Sequence, residues 1–143
     1  MLPLKLDTNL CLLRKHDFRV LDLLADCYGL LGLSEHAAEH LSNAISLPKV
    51  PSSLCKKLGM LYKSLGNSRK YVQSFSEYFS RQLESNPSNT LEISDDSEFE
   101  AASAIIKNPS EFNQKYLKIL ASAVFKYPAK KVNTILHDNS RYY

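Results

Sequence analysis

The chain has 143 residues, a formal net charge of +3 at pH 7, 44% hydrophobic and 23% charged side chains. Those values suit one soluble domain that buries its own core, and they exclude a disordered chain or a disulfide-stapled miniprotein. Cys11, Cys27 and Cys55 stand too far apart for a disulfide framework, and Asn86 and Asn108 each precede proline, which spoils them as glycosylation acceptors. With no basic start or long apolar run at Met1–Lys5, these features point to an intracellular setting, cytoplasmic or nuclear, without a membrane span.

Residues 1–17 read as an N-terminal extension that ends in a helix cap. Asp17 caps a helix running to about Leu31, with Val20, Leu21, Leu24, Tyr28 and Leu31 on one stripe, and Gly32 ends it. Ser34 opens a second helix through Ala37, Leu41, Ala44 and Ile45, which Pro48 and Pro51 stop. Ser52 or Ser53 starts a third, through Leu54, Leu58, Leu61, Tyr62 and Leu65 to Gly66. A fourth begins near Asn67 or Ser68 and carries Tyr71, Val72, Phe75, Tyr78, Phe79 and Leu83.

The helical stripe then stops. Residues 88–96 form an acidic loop with few apolar side chains, expected to be the most mobile internal segment. Ser97-Glu98-Phe99-Glu100 has the form of a capping box at the start of a short helix to Lys107; the spacing would also suit an acid-directed kinase at Ser97, and the capping reading is preferred. Ser110 is expected to cap a helix with Phe112, Tyr116, Leu117, Leu120, Val124 and Tyr127 on one face. Pro128 should end it, with a last short helix through Val132, Ile135 and Leu136. Residues 97–138 are therefore read as a C-terminal helical cap and 139–143 as a tail.

One pattern occurs twice within residues 18–87. Leu24-Ala25-x-x-Tyr28-x-x-x-Gly32 returns 34 residues later as Leu58-Gly59-x-x-Tyr62-x-x-x-Gly66. This resembles the tetratricopeptide repeat, whose period is about 34 residues and whose unit is a helix–turn–helix. The first copy adds Leu21, Ala37, Leu41, Ala44 and Pro48; the second adds Cys55, Tyr71 and Phe75, with Tyr71 and Tyr78 bulky where the family has small residues. The resemblance implies an all-α short solenoid of antiparallel helix pairs that holds a peptide or helix of a partner protein, as an adaptor or scaffold subunit. It also implies that the first helix of each pair lines a concave surface. The outward positions there are Arg19, Asp22 and Asp26 in one copy and Lys56, Met60 and Lys63 in the other. Asp22 and Asp26 would repel the carboxylate tails that one subset of the family grips. The aromatic helix from Tyr71 to Phe79 is a second candidate docking face.

Little in the sequence suggests chemistry. His36-Ala37-Ala38-Glu39-His40 matches the H-x-x-E-H pattern of inverted zinc peptidases, but Ala37 and Leu41 are buried repeat positions, which puts the histidines on an outer helix face without a third ligand. Cys27 and Cys55 fall on core stripes and read as packed thiols. No phosphate-binding loop or nucleophile elbow occurs. The expectation is a non-enzyme with no cofactor and no metal. Two alternatives remain: an RNA-binding helical repeat using the C-terminal lysines, or a piece of a longer repeat array.

Overall fold

A computed structural model describes residues 17–140. Every regular element among them is helical, without a strand. The chain divides between Ser74 and Phe75 into two compact units.

The first unit begins with α1, Phe18–Leu30. Asp17 is its cap: Oδ1 accepts from the Arg19 amide at 2.9 Å, and the Arg19 guanidinium folds back onto the same carboxylate at 3.1 Å. Such a cap contributes about 1 kcal/mol. Leu21, Leu24, Ala25 and Tyr28 form the buried face of α1. α1 packs along α2, Ser34–Ile45, whose buried residues Ala37, Ala38, Leu41 and Ala44 are mostly small and let the helices approach closely. The next helix, α3 at Ser53–Ser64, packs on α2 and buries Leu54, Cys55, Leu58, Gly59 and Tyr62. Ser34 does not cap α2, and α3 starts at Ser53, one of the two serines expected to open it. Ser34 is the first helical residue of α2, and Ser52 occupies the cap position of α3 without a side-chain bond.

The 34-residue period is written into the turns. Gly32 and Gly66 have φ of +76° and +74°, the left-handed region that glycine enters without a Cβ clash. Each closes its helix by the same pair of bonds. Leu33 donates to the Tyr28 carbonyl at 2.9 Å and Gly32 to Gly29 at 3.1 Å; Asn67 donates to Tyr62 at 3.0 Å and Gly66 to Lys63 at 3.1 Å. These are two Schellman closures, in which the tyrosine of the repeated pattern supplies the accepting carbonyl both times. Asn67 then accepts from the Lys70 amide at 3.2 Å at the start of α4, Ser68–Ser85.

In the second unit the buried residues of α4 are Phe75, Ser76, Tyr78, Phe79 and Leu83. Residues 86–95 follow without regular structure, but Ile93 is 2% exposed, and Leu91, Ile93, Ala123 and Tyr127 line one small cavity. The expected acidic loop therefore contains one buried apolar side chain. Next come α5, Asp96–Lys107, two short 3₁₀ turns at Pro109–Glu111 and Gln114–Tyr116, and α6, Leu117–Ser140, which packs on α5.

Three sequence expectations fail here. Asp95, not Ser97, caps α5: its Oδ1 accepts from the Glu98 amide at 2.9 Å and from Ser97 Oγ at 2.5 Å. A carboxylate outcompetes a hydroxyl at a helix N-terminus because it adds charge to the bond and meets the positive end of the dipole. Ser110 caps no long helix, since the chain makes two 3₁₀ turns before α6 starts at Leu117. Pro128 lies inside α6 and does not end it. Loss of one helical bond costs about 3 kcal/mol, which the helix-forming residues on both sides offset by continuing the helix. The expected tail residues 141–143 and the extension up to residue 16 lie outside the described residues.

Candidate functional site

The six residues expected at the concave face do not act as six independent contacts. Lys57, which the sequence reading passed over, gathers two of them. Its Nζ lies 2.6 Å from Asp22 and 2.6 Å from Asp26, one helical turn apart on α1. Burial works against the ammonium, but hydrogen bonds to Asp22 and Asp26 outweigh it and raise the Lys57 pKa. A search for lysines 31 to 35 residues beyond an acid would have offered this pair, since the repeat period brings such positions together. Arg19 is turned back onto Asp17, and the Lys63 ammonium lies 6.0 Å from the Tyr71 ring centroid. Lys56 is half-buried on α3.

Asp26, Lys57 and Met60 border a groove of about 520 Å³. Its other lining residues are Ala25, Gly29 and Leu30 from α1, Ala37 and Leu41 from α2, and Leu61 and Ser64 from α3. The walls are almost wholly apolar. Leu30 is 90% exposed at the rim, and Met60 is 38% exposed. A Cβ added at Gly29 would meet no atom within 4 Å, so the space above this glycine is open. What the groove offers is apolar burial with charge at one end.

The second candidate docking face is not a surface. Tyr71, Phe75, Tyr78 and Phe79 are at most 7% exposed, and the Phe75–Tyr78 and Tyr78–Phe79 rings meet at 6.0 and 5.2 Å. They are core. Cys55 is fully buried as expected, whereas Cys27 is exposed, because the helix turns position 27 away from the buried face defined by Leu24 and Tyr28.

The two histidines of the H-x-x-E-H stretch lie against the repeat tyrosine. The Tyr28 ring stacks on His40 at 5.1 Å and meets His36 at 5.4 Å, so both imidazoles cover the repeat tyrosine. Among the described residues, no three or more His, Cys, Asp or Glu side chains group as metal donors. A second charged assembly lies in the other unit: Tyr127 donates to Asp96 at 2.6 Å, Lys131 contacts the same carboxylate at 2.9 Å, and Phe99 stacks on Tyr127 at 5.1 Å. Hydrogen bonds from Tyr127 and Lys131 hold the Asp96 carboxyl below its usual value, and Asp96 pushes the Tyr127 phenol up to about 12. This assembly ties the first turn of α5 to α6. No helix among the described residues is long and apolar enough to cross a membrane.

No family model, no curated protein and no solved structure matches this chain.

Proposed function

We propose that the chain is a non-catalytic adaptor or scaffold subunit, a short tetratricopeptide-like stack that holds a helical or extended segment of a partner protein. The observation that carries this reading is the apolar groove bordered by Asp26, Lys57 and Met60. Exposed leucine and methionine at its rim leave apolar area in water that a partner segment would bury, at roughly 25 cal/mol per Å² before association costs are subtracted. The matched glycine turns support the repeat reading, because they give the two copies the same helix closure.

The proposed contact set is Asp22, Asp26, Met60 and Lys57, with Arg19, Lys56 and Lys63 at its edges. Gly29→Leu tests the proposal. The new side chain enters open space in the groove and leaves the helix packing alone. Affinity recovery with mass-spectrometric identification should find a partner with the wild-type chain and lose it with Gly29→Leu, while helical content is kept. Recovery unchanged by Gly29→Leu would place the interface elsewhere.

A further inference from the structure

The charge at the end of the groove specifies what kind of segment fits it. Asp22 and Asp26 share one cation, Lys57, at 2.6 Å each. Two carboxylates against one ammonium leave a surplus negative charge, and the Asp26 side chain is still 52% exposed beside the groove. Two further cations of these helices have other neighbours: Arg19 pairs with Asp17, and the Lys63 ammonium lies 6.0 Å from the Tyr71 ring centroid. The floor is made low by Ala25, Gly29 and Ala37, so a rod the width of a helix can approach the backbone of α1 closely. From this we infer that the groove takes an amphipathic helix whose apolar face is bordered at one end by lysine or arginine, and that it rejects acidic helices. The inference rests on the groove being the docking site and adds the chemistry of its occupant.

The physical basis is a half-exposed charge next to a surface that becomes dry on binding. A cation brought beside Asp26 pairs with the surplus carboxylate, while a glutamate there meets a like charge it cannot escape. Partly exposed pairs are worth a fraction of a kilocalorie to about one, so exchange of lysine for glutamate should change affinity about tenfold.

Three synthetic helical peptides test this. All carry the same face of leucine and alanine, and the residues bordering that face at each end are lysine, glutamine or glutamate, so either orientation presents the charge. Binding to the full chain is followed by fluorescence anisotropy of labelled peptide. The lysine peptide should bind tightest, about tenfold above the glutamate peptide, with glutamine between. The difference should shrink at high salt, where the Debye length falls to about 3 Å. Asp26→Asn should bring the three affinities together while Lys57 keeps Asp22, and Gly29→Leu should abolish all binding. Equal affinities, or preference for glutamate, would overturn the basic-helix inference and leave the groove reading intact. No binding of any peptide, together with partner recovery indifferent to Gly29→Leu, would overturn both.

Discussion

Lys49 is held at φ +60° between Pro48 and Pro51, a left-handed conformation that a side chain with a Cβ enters at a cost of about 1 kcal/mol. Lys49→Gly should therefore raise stability by roughly 0.5–1 kcal/mol, read as a higher urea midpoint at unchanged slope. Nothing in the Pro-Lys-Val-Pro string announces this, because proline restricts its neighbours without naming which one turns left-handed. The Tyr127–Asp96 bond makes a second prediction with a defined pH window. Tyr127 is raised from 10.0 to about 12 in the folded chain, so its contribution is complete below pH 10 and is lost as pH climbs toward 12. Asp96 is lowered from 3.8, so its contribution is complete above that value and disappears in stronger acid. Stability of the wild type should fall more steeply between pH 10 and 12 than that of Tyr127→Phe; parallel curves would mean that the bond is not made. Burial told the cysteines apart where sequence did not: both lie near helical stripes, but only Cys55 is on the packed side.

At the level of elements, boundaries set by glycine were legible and boundaries set by competing polar caps were not. Gly32 and Gly66 mark their turns because the positive φ demands glycine, whereas Asp95 and Ser97 both satisfy a cap pattern and only the structure shows which side chain reaches the Glu98 amide. Asp95→Ala should cost about 1 kcal/mol, and Ser97→Ala should cost much less because that hydroxyl only rests on the cap. Chemical denaturation of the two variants side by side checks this, and equal losses would return the cap to Ser97. The glycines make a matched pair. Gly32→Ala and Gly66→Ala should each destabilise by roughly 1–2 kcal/mol and by similar amounts, since φ and hydrogen bonding agree at both turns. Pro128 was misjudged because local composition is blind to packing, whereas the loop at 86–95 was legible as one and only the burial of Ile93 within it was not. Ile93 is buried within a segment that is mostly polar.

Across the whole molecule, the sequence showed that the chain is helical and that one pattern occurs twice, and of the six residues it named on the first helices of the repeats, Asp26 and Met60 line the groove. It did not show Lys57 as the partner of both aspartates, because that pairing joins positions 31 and 35 residues apart and depends on how α1 and α3 face one another. Nor did it show that the aromatic stretch in α4 is core, since bulky residues at helical spacing read alike whether they face a partner or the interior. The proposed docking role is tested at this scale by filling the groove in one variant and loosening the stack beneath it in another. Leu41 lines the groove but is 1% exposed, so Leu41→Ala removes core and should cost about 2–5 kcal/mol. Gly29 lines the same groove from an open position, so Gly29→Leu fills the groove and leaves the core. Thermal melts and partner recovery measured on both variants should therefore disagree. Leu41→Ala should lower the melting temperature by several degrees and still capture the partner below its transition, while Gly29→Leu should melt near the wild type and capture nothing. The opposite pattern would mean that the groove matters only as part of the fold, and that the partner is held on another face.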